Sequence, residues 1–526
     1  MMIRTTHGRR AFMRRAALAG ASVGLPPLLG GSLARAAPNA GSTLTLGLPG
    51  VTPTIDPLNM LNHDWMVVSQ TIYENLIEFD SNGHLKPQLA IALPTISADG
   101  LTYDFTLRPN TTFQNGAPFS AEDVKYSFDW LLDPANKAVR RPIFTRIKEV
   151  VVIDPMHVRF ILSQPYAPWL AFMTKCMGIF PKGSREAHGP DFFRSAPVGM
   201  GTGPGIFEAW QINDNISLKR NPHYWGKGVP AWERLVVRQL PAAEERVAYV
   251  RTGQADIIGE PPARQFAQLA KTRGLAGASR VTLGGWFAMY FDNTKPPFTD
   301  VNLRRAIACA IDRKTIADKV YYGLLDASGT IAPPDAWWYD PVADKEVAFD
   351  LEKAKQHLAK SQYAKGVTFE LTIPSSTYLL NVRDAALVIQ SQLAKVGITV
   401  KLKMMEFLPM LQGVIAGTVA SSLWVQMSPG EPTYLVQNCL TPGQVIYNVS
   451  KYPNYLELDT FLNKAFAETD QAKLKPVYAA MARFLAQQSP IVWIGFVHAA
   501  NVWRTQVHDF TVNQGLTIDP RPVTLG

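Results

Sequence analysis

The stretch Gly284 to Gly323, GGWFAMYFDNTKPPFTDVNLRRAIACAIDRKTIADKVYYG, constrains the fold more than any other part of the chain. In an extended register Trp286, Ala288 and Tyr290 fall on one face and Phe287, Met289 and Phe291 on the other. A strand with this pattern must be covered on both sides. Pro296-Pro297 then stops any ladder, because proline has no N–H to donate. Beyond it Thr299 or Asp300 is placed to cap a helix whose Leu303, Ile307 and Ile311 form one apolar stripe. Asp312 is placed to cap a second helix with Ile316 and Val320 inward, and Gly323 to end it. A doubly buried strand, a proline break and two capped helices predict a chain that leaves one packed body and starts another.

The N-terminus predicts export. Arg4, Arg9, Arg10, Arg14 and Arg15 precede an apolar run from Ala16 to Gly31, and Ala34-Arg35-Ala36 offers a small-residue cleavage site near Ala36. The run is short and broken by Pro26 and Pro27, which argues against a membrane span. Arg9-Arg10-Ala11-Phe12-Met13-Arg14 resembles a twin-arginine export signal, with an ordinary basic start to a general secretory signal as the alternative. Cleavage would remove six arginines and no acid, leaving 46 lysines and arginines against 43 acidic residues. The basic balance of the whole chain therefore belongs largely to the signal, and it argues for neither a nucleic-acid partner nor a membrane-binding patch. The remaining length is ample for more than one core. Three cysteines, Cys176, Cys309 and Cys439, cannot all pair and have no CxxC spacing, so buried free thiols are expected.

Along the chain, Thr43 to Leu48 reads as a first strand leading into the stiff loop Val51-Thr52-Pro53-Thr54-Ile55-Asp56-Pro57. Leu101 to Leu107 alternates as a half-buried strand, and Ser120 to Asp123 opens a helix with a capping box carrying Val124, Phe128 and Leu131 inward. Val150 to Leu162 reads as two strands, and a short helix follows through Trp169 and Phe172. Gly201-Thr202-Gly203-Pro204-Gly205 lacks the last glycine of a dinucleotide fingerprint and the Gly-Lys-Ser/Thr of a phosphate loop, so it reads as a tight approach into a strand. Glu244 to Gly253 is an amphipathic helix before the strand Asp256 to Ile258. Phe369 to Ile373, the helix Ala386 to Val396 ended by Gly397, and Ile398 to Met404 form a strand–helix–strand unit and predict a parallel pair. Val419 to Val425 is a further strand, Tyr455 to Gln487 is helical with a break near Lys475-Pro476, and Ile491 to Val497 could return the chain to the first body.

Several segments carry a resemblance to one family. FDNTKPPFTDVNLRRAIACAIDRKTIADKVYYG, LTYDFTLRPNTTFQNGAPFSAEDVKYSF, GTGPGIFEAWQINDNISLKRNPHYWGKG and Tyr73-Glu74-Asn75-Leu76 resemble the family 5 extracellular solute-binding proteins of ABC importers, which include dipeptide- and oligopeptide-binding proteins. The resemblance implies a two-lobed α/β periplasmic binding protein type 2 fold of cluster C, with an extra subdomain in lobe one and a hinge between lobes. Residues 37–292 with 498–526 would form lobe I, with an inserted subdomain over about 81–200, and 293–497 lobe II. It implies a monomer without a cofactor that captures a peptide or similar small polar solute in the periplasm. The loaded receptor would deliver it to a membrane permease, with ATP hydrolysis on a separate subunit.

No catalytic constellation survives inspection. The match Gly20-Ala21-Ser22-Val23-Gly24 lies in the export signal, and nine histidines show no HExxH or i,i+4 pair. Twelve tryptophans suit a cleft with flat apolar walls. The candidate ligand contacts are Thr52 and Thr54 in the first loop, Trp286 and Asn293 at the crossing, Trp337 and Trp338, Tyr378, and Trp424, Gln426, Met427, Ser428 and Glu431. Peptide-binding relatives carry Trp, then Asp, then Asp-Pro over the last stretch; here Trp424 is kept, Glu431-Pro432 replaces Asp-Pro, and Met427 or Ser428 stands where the amine-pairing Asp would be. That departure leaves open an opine-like compound, an oligosaccharide, or a metal chelate or haem bound through His63, His498 or His508. A rival from another class is a secreted α/β hydrolase, which would need a nucleophile–base pair in the cleft.

Overall fold

The apolar runs assemble into one mixed sheet of eleven strands, seen in a computed structural model that describes residues 42–50, 52–60, 66–375, 381–427, 430, 432–442, 448–468, 470–515 and 517–526. All of these lie in the second of two units, 38–526, into which the chain divides. The export signal, His63, Tyr378, Ser428 and Glu431 lie outside the described residues.

The strands are β1 (Thr43–Leu48), β2 (Gly205–Gln211), β3 (Asn215–Arg220), β4 (Arg234–Gln239), β5 (Ile257–Gly259), β6 (Leu275–Phe291), β7 (Leu325–Ala327), β8 (Val367–Pro374), β9 (Ile398–Met405), β10 (Ser421–Met427) and β11 (Ile491–Arg504). Their order is β9-β8-β10-β6-β11-β5-β1-β4-β3-β2, with β7 against β11. β8 and β9, joined by α6 (Val382–Ala394), are parallel from Val367–Ile398 to Pro374–Met405, as the strand–helix–strand pattern predicts. On the other side β1 lies parallel between β4 and β5.

The two halves share β6 and β11. Leu275 to Val281 pairs antiparallel with Arg504 to His498, and Trp286 to Tyr290 pairs with Phe496 to Ile491. Between them, at Thr282 to Gly285, the ladder is interrupted. The far end of β6 also pairs with β10, Gly285 opposite Met427 through Phe291 opposite Ser421. β6 is longer than the Trp286–Asp292 run because its first part, half-buried and mixed in polarity, carries no periodic signal. Gly285 has a steric reason to be glycine. A Cβ there would lie 2.2 Å from Thr282 Oγ1, which donates to Val497 O at 2.6 Å. The continuous burial read from the sequence holds: Trp286 through Phe291 are buried on both faces.

Asp300 caps α4 (Val301–Ala310), accepting from Asn302 N and Leu303 N, and Asp312 caps α5 (Arg313–Lys319) through Thr315 N. Gly323, at φ +85°, donates its N–H to Ala317 O and closes that end. The expected break at Lys475-Pro476 falls instead at 467–470, between α8 (Tyr455–Phe466) and α9 (Gln471–Gln488). Asp470 caps α9, and Pro476 rides in its second turn, where its missing N–H costs one ladder bond.

A four-stranded antiparallel sheet, built on Thr102–Thr106, Ile147–Asp154 and His157–Leu162, packs α1 (Ala121–Leu132) over an aromatic core. Phe128 and Phe105 meet Phe160 edge-on at 4.8 and 5.6 Å, and Trp169 closes the cluster. The glycines of 201–205 are explained by contact with the helix Met66–Ile72, since a Cβ on Gly203 would sit 2.3 Å from Thr71 O. Glu74 is buried beside that helix, where Tyr224 Oη and Trp225 Nε1 donate to it at 2.8 and 2.9 Å. Burial pushes its carboxyl up to about 7 against those bonds.

The loop after β1 is fixed by a buried ion pair. Arg185 reaches both oxygens of Asp56, at 3.0 and 2.8 Å, and each side chain is 4% exposed. Its guanidinium lies over Trp130, Phe180 and Phe193 at 4.1, 4.1 and 4.5 Å. Asp56 also accepts from Leu58 N and Asn59 Nδ2. Arg185→Met would strand the Asp56 carboxylate in the interior and should lower stability by about 3–5 kcal/mol. A urea midpoint equal to that of the parent protein would contradict this role.

Candidate functional site

The site is built where β10 meets the far half of β6. Trp424 and Gln426 are two residues apart on β10 and so project to one face. Trp424 packs against Tyr290 and Phe407, with ring centroids 5.2 and 5.4 Å away, and is nearly buried. Gln426 Oε1 accepts from Cys439 Sγ at 2.9 Å. The indole Nε1 of Trp424 and the amide Nε2 of Gln426 are both buried without a partner. Unpaired buried donors are expensive, each costing about 1–3 kcal/mol, and native proteins keep few of them. With Ser422 Oγ, also buried and unpaired two residues earlier on the same face, Trp424 and Gln426 form a row of donors able to meet an acceptor.

The surroundings are apolar. α7 (Pro432–Leu440) is buried along its whole length. Burial pushes the Cys439 thiol and the Tyr290 phenol well above their usual ranges, so neither carries charge here. Tyr434 of α7 packs against Phe172 of α2 (Trp169–Cys176) at 4.2 Å. Just past α2, Gly178 approaches Pro57 of the first loop so closely that a Cβ would lie 2.9 Å from the proline ring. Ala167 N donates to Phe466 O at 3.1 Å, and Tyr166 meets the Phe466 ring at 4.8 Å. Residues 166–178 thus touch both the loop after β1 and the helices after β10.

The structure sets Trp286 directly opposite Gln426 on β10 and engages several of the other residues singled out by sequence in structural contacts. Trp286 is fully buried and meets Trp493 edge-on at 5.5 Å. Asn293 gives its Nδ2 to Phe291 O, Ser450 O and Pro490 O at 3.1, 2.6 and 3.1 Å, holding the turn after β6. The hydroxyls of Thr52 and Thr54 are engaged: Thr52 Oγ1 donates to Thr54 O at 2.5 Å, and Thr54 Oγ1 accepts from Asp56 N at 3.1 Å and donates to Arg194 O at 3.4 Å. Trp337 packs on Trp338 and on Tyr478 of α9, apart from β10. Met427 is half-buried opposite Gly285, with no acidic side chain of its own to offer. Of the histidines, His498 joins the halves, Nε2 at 2.8 Å from Asp326 Oδ1 and Nδ1 at 3.3 Å from Ser279 Oγ, while His508 is exposed on a short strand. Among the described residues no group of three or more His, Cys, Asp or Glu is placed to hold a metal ion, and no helix is long and apolar enough to cross a membrane.

Residues 84–444 match the family described as bacterial extracellular solute-binding proteins, family 5 Middle. The chain belongs to this family. Such proteins are the solute-binding components of ABC importers, and that is the class of function of this chain. It is similar to the glutathione-binding protein GsiB of Escherichia coli O6:K15:H31, 28% identical over 467 residues, which covers 84% of this chain and 86% of that protein. It resembles the structure of the periplasmic binding protein AgaA in complex with agropinic acid, from A. tumefaciens R10. The TM-score is 0.80 at 25% identity, covering 92% of this chain and 99% of that one. The fold also matches the dipeptide-binding protein from Pseudoalteromonas sp. SM9913 in complex with Met-Leu, with a TM-score of 0.81 at 24% identity over 92% and 100% of the chains. The two-lobed type 2 fold expected from the sequence is therefore the fold of the molecule. These relatives are binding proteins of transporters rather than enzymes.

Gln426→Met should separate binding from stability. It removes an unpaired buried donor together with the weak acceptor bond from Cys439 Sγ, so the empty protein should keep about the stability of the parent. Retention of the copurifying solute should weaken about tenfold, one hydrogen bond to an acceptor of the ligand. Unchanged solute occupancy in native mass spectra would remove Gln426 from the site.

Proposed function

We propose that the protein is the periplasmic receptor of an ABC importer for a peptide or a similarly small polar solute. It would act as a monomer that docks on the permease, with the ATPase subunit reached only indirectly. The observation that carries the reading is the pair of unpartnered buried donors, Trp424 Nε1 and Gln426 Nε2, on the sheet face where β10 adjoins the crossing strand. Two convergent N–H donors in an apolar wall suit a carboxylate or peptide carbonyl. Thr52 to Thr54 would add backbone groups from the other side, and Tyr290, Phe407 and Tyr434 flat apolar surface. Tyr378, Ser428 and Glu431 belong to the same proposal.

The lobes would turn at Thr282–Gly285, where both strands of the crossing lose register, and close around the solute. Lobe I would then comprise residues 37–281 with 498–526, including the inserted body, and lobe II residues 286–497. The N-terminal segment, read as a twin-arginine signal cleaved near Ala36, would deliver the chain to the periplasm. Kinship with GsiB and with the Met-Leu receptor favours a peptide. A second reading, an opine-like acid, is favoured by Met427 or Ser428 standing where a carboxylate would pair an amine, and by the likeness to AgaA.

The test is native mass spectrometry of the mature protein purified from its own periplasm, followed by calorimetry of the stripped protein with Met-Leu and with glutathione. A bound peptide mass, and saturable binding of one of the two, is expected. A retained sugar or metal complex, or turnover of the added peptide, would contradict the proposal.

A further inference from the structure

We propose that Glu260 is the cation anchor of the binding site, receiving the protonated amine of the solute at the carboxyl ends of β1 and β5. The inference rests on the peptide reading above and names the group that reading lacks.

Glu260 follows β5 directly. The parallel register, Leu46 with Ile257 and Gly47 with Ile258, sets it beside Pro49, three residues before Thr52. β4 and β5 flank β1 on opposite sides, so the chain crosses over β1 and leaves a crevice at these strand ends. That is where ligands meet open α/β sheets. Glu260, half-buried, lines a recess with Leu48, Pro49, Asn501 and Ile518. The recess holds about 20 Å³, room for a single water-sized or ammonium-sized group.

The polar groups of this recess accept. Among the described residues, no side chain makes a hydrogen bond or ion pair with the Glu260 carboxylate. Asn501 gives its Nδ2 to Ile258 O at 3.4 Å, leaving its amide oxygen as a second acceptor. The nearest cation, Arg246 on α3 (Ala243–Thr252), is fully buried and engaged with backbone. Its guanidinium donates to the carbonyls of Leu240, Pro241, Gly259 and Glu260 at 2.6, 2.9, 2.9 and 2.7 Å. These bonds fix the strand end from behind, and the guanidinium also acts on the Glu260 carboxyl through space.

The backbone is also set against local preference. Glu260 has φ +46°, a left-handed conformation that a residue with a Cβ disfavours. Pro261 follows, and a residue before proline favours extended backbone. The Arg246 bond to its carbonyl and its own N–H donation to Ala500 O at 3.0 Å hold it there. Such conformations persist where the surroundings over-determine them, as at ligand clamps. Burial pushes the carboxyl up to about 7, with the Arg246 guanidinium pulling the other way. Glu74, raised as far, is satisfied by Tyr224 and Trp225; Glu260 has no such donors. The titratable groups facing Glu260 are Arg246 from α3 and Tyr321 after α5, whose phenol burial keeps protonated.

The experiment uses an equimolar mixture of di- and tripeptides with free amines and the same mixture N-acetylated, offered to stripped protein and read by native mass spectrometry and calorimetry. The parent should retain free-amine peptides and exclude acetylated ones, and Glu260→Gln should weaken retention at least thirtyfold at pH 7.5. Parent affinity should fall up to tenfold per pH unit below 7, as the anchor takes up a proton, and the Gln variant should lose that dependence. The pH profile of the parent stands without any variant. Equal retention of free and acetylated peptides, a Gln variant within threefold of the parent, or a flat parent profile would overturn the anchor and leave the peptide reading intact. Retention of neither mixture would overturn the peptide reading and the anchor with it.

Discussion

The antiparallel pair of β6 and β11 is the constraint on which the rest of the structure depends. Both strands run through the middle of one sheet, and each serves two halves. Their ladder is interrupted over four residues at Thr282–Gly285, with a smaller one-residue shift between Phe287 and Ala288. A sheet that is rigid within each half and loose at one short step supports rotation without loss of either core. Gly285 fits this economy because a side chain there would collide with Thr282 at the step itself. The same topology sets the crevice: strands that carry the chain between halves necessarily pass its floor.

Polar groups divide by what satisfies them. Asp56 and Arg185 are buried together and paired through both carboxylate oxygens, with Arg185 Nε left over, and they hold the loop after β1 for whatever its backbone meets. Asn293 spends its Nδ2 on three carbonyls and keeps only an acceptor, Oδ1, unpaired. Trp424 Nε1 and Gln426 Nε2 are buried and incomplete, and Glu260 is an acid without a donor. Incompleteness costs stability in the empty protein, and a solute that supplies the missing partners recovers that cost on binding.

Much of the fold was legible in the chain, for stated reasons. The two-faced apolar run Trp286–Phe291, the caps at Ser120, Asp300 and Asp312, and the parallel strands around the helix ending at Gly397 each follow from local pattern. The first half of β6 was not legible, because half-buried mixed residues carry no period. Pro476 misled because a proline in the second turn of a capped helix costs only one bond. At the site, burial was the missing quantity. Trp286 and Trp424 look alike in sequence, yet one is sealed against Trp493 and the other keeps an unpaired N–H. Glu260 gave one faint local sign, an acid before Pro261-Pro262, and only the register of β5 on β1 gives it meaning.

The central claim is that two lobes turn about the step in β6 and β11 to enclose a solute. The direct measurement is electron–electron resonance distance spectroscopy between spin labels at Ile212 and Leu408, which are highly exposed and lie in opposite halves. Adding the native solute back to stripped protein should shift the distance distribution by several ångströms and narrow it. A distribution unchanged at saturating solute would contradict the hinge and require a binding site formed within one half.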